Sequence, residues 1–365
     1  MIKNLMDACV AALSYYLVGY GFAYGGGGNK FVGLDTFALV NTKDYIIWFF
    51  NYVFAGTTAT IVSGAVAERC QFEAYLIYSS VLTAIIYPIA SHWVWSEDGW
   101  MFELGVLDFA GGGAVHGIGG VAAVCAAFVL GPRIGKFTEG PDGTLVANKM
   151  PGHNLVLSAL GVLILWFGFF AFNGGSGYDI VGEGAVITGR VAIVTCIAGA
   201  TGAVTIMILE RIKSGTWDMM ASANGLLAGM IATCSCCNVV HVWHSLIIGF
   251  TGSLVTYGQS YVTEHILHID DPLDAAALHM GAGFWGTICA GLFAVPEFVS
   301  EGQEGLFYGG GKQLGYQIAA VFAYTAWAAG TSMCMFYTLN YLNLFRVSKE
   351  VELMGLDDHH HGGYS

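Results

Sequence analysis

Charged residues are scarce in this chain, and basic residues are scarcer than acidic ones. Of the 365 residues 11% are charged, with 13 Lys and Arg against 26 Asp and Glu, which gives a formal net charge of −13 at pH 7. About a quarter of the residues of an ordinary soluble domain are charged, so this composition argues against that class of protein. The few basic residues are also too scattered to form a phosphate-binding face, which argues against a nucleic-acid partner.

Apolar residues and glycine take the place of charge. Hydrophobic residues make up 55% of the chain and glycine numbers 52. The apolar residues form successive stretches of about 20, the length that crosses the hydrocarbon core of a bilayer. They predict an all-α, polytopic helical membrane protein with ten spans, at residues 5–24, 44–66, 75–94, 110–130, 155–172, 185–209, 219–232, 242–261, 273–294 and 314–344.

The basic residues predict the orientation, because cytoplasmic loops carry an excess of Lys and Arg. With a cytoplasmic amino terminus, the cytoplasmic segments hold Lys3, Arg69, Arg133, Lys136, Lys149, Arg211, Lys213, Arg346 and Lys349, and the outside loops hold Lys30, Lys43 and Lys312. The carboxyl terminus is then cytoplasmic too. The outside loops are acidic, with Glu97, Asp98, Glu103, Asp179, Glu183, Glu297, Glu301 and Glu304. They could gather cations, but we favour ordinary solvated loops.

Two histidines, His116 and His279, stand deep in apolar sequence and in matching settings. Each follows a Leu-Asp pair and is followed by Gly four residues later, then by Cys and Pro at nearly equal distances. A titratable imidazole is expensive to bury in a membrane span, so such residues mark sites for polar species. The pattern indicates one structural element that is used twice.

A basic loop at 131–154 divides the chain into two parts. His116 lies in the fourth predicted span and His279 in the ninth, so these spans cross the membrane in opposite directions. We therefore expect inverted repeats at about 1–132 and 150–296, with the substrate site between them. A last long helix at 314–344 completes a transmembrane domain at 1–345, and 346–365 form a cytosolic tail.

Six segments make the chain resemble the ammonium transporter family, and its plant-type branch in particular. They are 6–25 (MDACVAALSYYLVGYGFAYG), 61–69 (IVSGAVAER), 91–100 (SHWVWSEDGW), 108–120 (DFAGGGAVHGIGG), 172–176 (FNGGS) and 269–279 (IDDPLDAAALH). They occur in the family's order over nearly the whole chain, which is more specific than any single motif. The resemblance implies eleven spans with an outside amino terminus, so this chain is expected to begin just before the second span and to lack the first.

The same resemblance implies a function. It implies transport of ammonium or ammonia, and of methylammonium, by a protein embedded in the lipid bilayer of the plasma membrane. The expected assembly is a homotrimer with one pore in each subunit. Neither an enzymatic activity nor a cofactor or metal is expected.

Seven residues match functional positions of the family. They are Trp95 and Ser176 at the outer recruitment site, Phe54 and Phe172 in a stacked phenyl gate below it, Asp108 under the recruitment site, and His116 and His279 in the pore. An aromatic face solvates a cation by up to about 2 kcal/mol where water is excluded. A neutral imidazole offers ammonia one donor and one acceptor. Each aromatic residue taken alone is more typical of packing.

Two aspartates are predicted to start helices. Asp108 is expected to accept hydrogen bonds from the backbone N–H groups near Ala110 and Gly111. Asp274, with Pro272 ahead of it, indicates a helix start on the cytoplasmic side.

Three other interpretations were weighed. The first is an ammonium sensor that signals through a partner, although the short tail carries no recognisable output domain. The second is a membrane metalloenzyme or haem protein that uses His116 and His279 as ligands, although the carboxylates that support such ligands are absent around them. The third is a site for a soft metal ion, with the candidate ligands Cys234, Cys236, Cys237, His241 and His244. Close packing of free thiols is the preferred interpretation of these residues. The run His359–His361 is interpreted as solvated tail.

Overall fold

The computed structural model describes residues 2–357, and helices dominate this part of the chain. Ten helices occupy the positions predicted for the ten spans: α1 (Ile2–Tyr24), α2 (Tyr45–Ala65), α3 (72–95), α4 (Gly112–Leu130), α5 (Leu155–Gly174), α6 (Glu183–Ser214), α7 (Met219–Ile231), α8 (His244–Tyr261), α9 (Ala277–Phe293) and α10 (Gly311–Tyr341). A short helix, α11 (Lys349–Met354), follows. The prediction of a polytopic helical membrane protein is confirmed.

The helices differ in whether they could span a bilayer unaided. Within residues 2–357, the seven helices α1 to α6 and α10 are long and apolar enough by length and composition. Helices α7 and α9 are apolar but shorter, and α8 has 18 residues before a π-helical turn at Val262–Ile266 extends it. Residues 232–240, which follow α7, are mostly buried. Helix α7 is therefore continued by irregular backbone inside the protein, where irregular backbone is tolerated at membrane depth.

A β-hairpin lies in the segment that was predicted as a loop. Strands β1 (Phe137–Glu139) and β2 (Leu145–Ala147) pair antiparallel, with Thr138 opposite Val146. The backbone N–H of Gly140 donates to the carbonyl of Thr144 and closes the connection between the strands. Short helical turns complete the connections, at Phe37–Leu39, Trp100–Leu104, Gly175–Gly177, Pro296–Phe298 and Leu306–Tyr308.

Helices α4 and α9 both begin with π-helical turns, and these turns carry the two histidines. The turns are Gly112–Gly117 and Ala277–Gly281. Glycine lets the two helices approach, because a Cβ placed on Gly120 would lie 2.2 Å from the backbone nitrogen of Met280. A Cβ on Gly283 would lie 2.3 Å from the carbonyl oxygen of Gly112. Such backbone contact is typical of helices that pack through small residues in membranes.

A buried ion pair and a buried arginine tie together the end of the protein predicted to be cytoplasmic. Arg133 binds Asp270 through both carboxylate oxygens, at 2.9 and 3.0 Å, and also contacts Glu68 at 2.9 Å. Arg69 is fully buried and donates to the carbonyl of Asp270 at 2.7 Å. Burial alone would raise the pKa of Asp270, but the hydrogen bonds from Arg133 and the two guanidinium charges hold it below its usual value.

The first part of the expected tail is docked on the protein. Arg346 donates to the carbonyls of Leu130 and Pro132, at 2.8 and 2.7 Å, and pairs with Glu352 of α11 at 2.8 Å. Glu352 also accepts the backbone N–H of Ile134 at 2.8 Å. Helix α11 is therefore fastened to the loop that follows α4. The run His359–His361, interpreted above as solvated tail, lies outside the described residues.

Candidate functional site

Four aromatic rings form a column in the interior, each contributed by a different helix. Phe54 of α2 and Phe172 of α5 face each other with ring centroids 4.4 Å apart. The ring of Phe172 lies 5.2 Å from that of His116 on α4, which in turn stacks on His279 of α9 at 5.1 Å and 15°. The sequence analysis predicted these four side chains, and the structure brings them together in the predicted order.

The two imidazoles are in direct contact. The Nδ1 atoms of His116 and His279 are 2.9 Å apart, a hydrogen-bond distance. Because a hydrogen bond needs one donor and one acceptor, the pair shares a single proton between the two Nδ1 atoms. With both rings neutral, one Nε2 atom then carries a proton and the other is an acceptor. The Nε2 atom of His116 is buried without a hydrogen-bond partner among the described residues.

Asp108 is buried, at 4% exposure, and caps the helix that carries His116. Its Oδ2 atom accepts the backbone N–H groups of Gly113 and Ala114, at 3.1 and 2.8 Å. Its Oδ1 atom accepts the hydroxyl of Ser235 at 2.7 Å. Bonds to an ionised carboxylate at a helix amino terminus are strong because they also meet the helix dipole. Asp108 therefore fixes the first turn of α4.

The donors predicted for this cap were wrong. The N–H of Ala110 bonds instead to the carbonyl of Cys234 at 2.8 Å. Gly111 has a φ of +79°, a left-handed conformation that suits glycine, and the helical turn begins only at Gly112. The helix thus starts two residues later than predicted.

Trp95 and Ser176 adjoin the end of the column formed by Phe54 and Phe172. The Trp95 ring lies 5.6 Å from that of Phe54, and its Nε1–H donates to the carbonyl of Asp108 at 2.8 Å. The hydroxyl of Ser176 donates to the carbonyl of Phe172 at 2.8 Å. Trp95 thereby ties Asp108 to the phenyl pair, and Ser176 is placed by the end of α5.

Two further phenylalanines belong to the column but were missed in the sequence analysis. Phe50 packs on Phe54 at 4.7 Å, and Phe169 lies 5.9 Å from His116. Spacing was the available signal, because residues four or three apart on a helix share a face. Phe50 precedes Phe54 by four residues, and Phe169 precedes Phe172 by three.

Helical backbone begins directly after Asp274, as predicted, but Asp271 rather than Asp274 caps this amino terminus of α9. Asp271 accepts the backbone N–H groups of Ala275 and Ala276, at 3.0 and 2.7 Å. Asp274 instead has a φ of +53° and accepts the hydroxyl of Ser260 at 2.6 Å. Burial, together with the neighbouring Asp274, raises the pKa of Asp271 to about 7.

Two cavities share Asp274 in their linings. One, of about 120 Å³, is lined by Arg133, Lys136, Glu264, Asp271 and Asp274 among others. The other, of about 220 Å³, is lined by Glu210, Asp218, Asn224, Tyr257 and Asp274 among others. Both cavities are lined by Ser260 and by Asp274, which precedes the turn of α9 that carries His279, and both linings include charged side chains.

The cysteine and histidine cluster is an ordinary packed junction in the structure. Cys234, Cys236 and Cys237 are free and buried. The Nδ1 atom of His244 accepts the backbone N–H of His241 at 3.1 Å, and both rings stack at 5.8 Å. Between residues 2 and 357, no group of three or more His, Cys, Asp or Glu side chains is arranged to hold a metal ion.

Comparison with known proteins decides the family. The sequence model of the Ammonium Transporter Family matches residues 1–365. The chain belongs to the ammonium transporter family. It is 37% identical over 371 residues to Ammonium transporter 3 of Dictyostelium discoideum, with 100% of this chain and 85% of that protein covered. It is 41% identical over 395 residues to Putative ammonium transporter 1 member 5 of Arabidopsis thaliana, with 100% and 78% covered.

Solved structures of ammonium transporter relatives have the same fold. The chain matches a structure described as Sensor Amt Protein with a TM-score of 0.90 and 35% identity, covering 98% of this chain and 89% of that one. It matches Candida albicans Mep2 with a TM-score of 0.86 and 28% identity, covering 95% and 78%. The protein is thus a multi-pass membrane transporter of the ammonium transporter family.

Proposed function

We propose that this ammonium transporter recruits ammonium at Trp95 and Ser176, removes its extra proton, and conducts ammonia past His116 and His279. The observation that carries the proposal is the geometry of the imidazole pair. Two neutral rings in hydrogen-bond contact, beneath a pair of phenyl rings, leave a buried Nε2 atom of His116 without a partner. An orphaned polar atom in an apolar interior is expensive, and ammonia can supply the missing hydrogen bond.

Charge explains why the proton has to leave. Transfer of a bare ammonium ion into a low-dielectric interior costs on the order of tens of kcal/mol, whereas ammonia is neutral. Trp95 and the phenyl faces partly solvate the cation above the column. The carboxylate of Asp108 lies behind this site and adds a favourable potential, although its oxygens are already bonded to α4 and Ser235. Phe54 and Phe172, 4.4 Å apart, then exclude water.

The direction of transport and the assembly belong to the same proposal. The acidic, aromatic end faces outward and the end with Arg69, Arg133 and Arg346 faces the cytoplasm, in keeping with the excess of basic residues on cytoplasmic sides. The matching π-helical turns of α4 and α9 support inverted repeats at about 1–132 and 150–296. We place the protein in the plasma membrane as a homotrimer with one pore in each subunit and a cytosolic carboxyl-terminal tail.

Uptake of methylammonium tests the proposal. The chain is expressed in a yeast strain that lacks its own ammonium transporters, and uptake of labelled methylammonium is measured against a vector control. We expect saturable uptake that ammonium inhibits competitively. Binding of ammonium by purified protein without any uptake would instead favour a sensor. Absence of both binding and uptake, with the protein present in the membrane, would refute the proposal.

A further inference from the structure

Two glutamines on α10 are fully buried inside the membrane domain. Gln313 and Gln317 are both 0% exposed and lie four residues apart, on one face of the helix. Helix α10 packs on α4 and α9, the helices that carry the histidines. A buried amide is destabilising unless its donors and acceptor are bonded, so the partners of these side chains decide what they do.

Gln317 uses its full hydrogen-bonding capacity. Its Nε2 group donates to the carbonyls of Leu107 and Thr287, at 2.6 and 2.9 Å. Its Oε1 atom accepts the backbone N–H of Leu107 at 2.9 Å and the Nε2–H of Gln313 at 3.3 Å. An amide side chain has two N–H donors and two acceptor sites, and all are occupied here. The side chain therefore bonds to both the backbone N–H and the backbone carbonyl of Leu107, as the backbone of a neighbouring β-strand would.

Two of the three partners of Gln317, Leu107 and Thr287, connect it to the proposed recruitment site. Leu107 directly precedes Asp108, whose carbonyl accepts the indole N–H of Trp95 at 2.8 Å. Thr287 lies on α9, and its hydroxyl is 3.0 Å from that of Ser235, which donates to the carboxylate of Asp108 at 2.7 Å. One amide thus connects the backbone ahead of Asp108 to the helix that carries the second histidine.

We infer that Gln317 is a positioning residue for ammonium recruitment: it sets where Asp108 and Trp95 stand relative to α9. The inference rests on the proposed function, because it assigns recruitment to Trp95. Without the amide, Leu107 loses a partner for both of its backbone polar groups, and the segment before Asp108 is free to shift. Such a shift moves the indole and the carboxylate without removing either, so it weakens cation binding and leaves the imidazole pair in place.

Kinetics of methylammonium uptake separate this role from simple structural support. Replacement Gln317→Leu is expected to raise KM at least about fivefold, the effect of one buried hydrogen bond of typical strength. Loss of fold alone would lower the maximal rate in proportion to the amount of protein in the membrane and leave KM unchanged. The matched control is Thr325→Val on the same helix, because the Thr325 hydroxyl donates to the carbonyl of Val321 one turn earlier. Its KM should equal that of the wild type.

A second variant gives a readout that structural support would not move. In Gln317→Glu the carboxylate cannot donate to Leu107 or Thr287, whereas the protonated carboxyl regains one O–H donor. Its KM, divided by the wild-type KM at the same pH, should therefore fall as the pH falls. This series decides the matter if Gln317→Leu does not reach the membrane. A flat ratio, or an unchanged KM in Gln317→Leu, would overturn the inference, while failure of the wild type to take up methylammonium would refute the proposed function itself.

Discussion

The contact between His116 and His279 makes a quantitative prediction about conduction. Replacement of either histidine by Ala removes one partner of a 2.9 Å hydrogen bond. The Nδ1 atom of the other ring, which is buried in His116 and half-buried in His279, is then left without its partner. A buried polar group without its partner costs about 1–3 kcal/mol. If the passing ammonia loses a hydrogen bond of that strength, the free-energy barrier to its passage rises by the same amount. Each 1.36 kcal/mol added to the barrier lowers the rate about tenfold. We therefore expect each single variant to take up methylammonium about 5- to 150-fold more slowly.

The double variant is the informative member of the series. Because the two rings share one proton, the first replacement already disrupts the pair, and interacting sites of this kind are not additive. Replacement of both histidines should therefore sharply reduce uptake, yet by less than the product of the two single effects. The wild type, the two single variants and the double variant are compared by their initial rates of labelled methylammonium uptake, each divided by the amount of protein in the membrane.

A histidine outside the column provides the control. His153 is exposed in the loop between β2 and α5, so His153→Ala should leave the rate unchanged. Wild-type uptake in the double variant would refute a role for the imidazoles. Single effects that multiply fully in the double variant would refute the shared proton, because rings that act independently have additive free energies.

Three further predictions concern neighbouring groups. Trp95→Leu removes a cation-binding face worth up to about 2 kcal/mol, so KM for methylammonium should rise by up to about 30-fold in uptake kinetics. Asp108→Ala removes three hydrogen bonds and should lower the melting temperature in detergent by several degrees, whereas Ser300→Ala, in an exposed loop, should not. Burial and the charge of Asp274 raise the pKa of Asp271 to about 7, so the folded protein holds this proton more tightly than the unfolded chain. Ionisation therefore weakens the fold as the pH rises from about 4 to 7. Asp271→Asn, which keeps a capping oxygen, should raise the melting temperature at pH 8 and change it less at pH 5; equal shifts at both values would contradict this.

The sequence predicted the helices and the column well because the relevant signals are local. The length of an apolar stretch fixes where a span lies, which is why α1 to α10 appear at the predicted positions. The resemblance of segments such as 108–120 to a known family supplied the residues of the column. The fold brings these residues together, since four separate helices contribute one ring each.

Other features could not be read from local sequence. The segment 270–274 contains three aspartates, and only the folded backbone shows that Asp271 caps α9 while Asp274 turns toward Ser260. Gln317 gave no signal, because its partners outside α10 lie 210 and 30 residues away in the chain. The β-hairpin did have one: Asp142-Gly143 is a turn dipeptide between β1 and β2, and it was overlooked.

The close approach of Gly283 to the carbonyl of Gly112 has a consequence for engineering this protein. Main chain meets main chain at that crossing, so the spacing of α4 and α9 beside the imidazole pair is set by two backbones. Exchanging either imidazole should leave this spacing of the helices unchanged. A methyl group added at Gly283 should instead push the two helices apart and lengthen the contact between the Nδ1 atoms of His116 and His279.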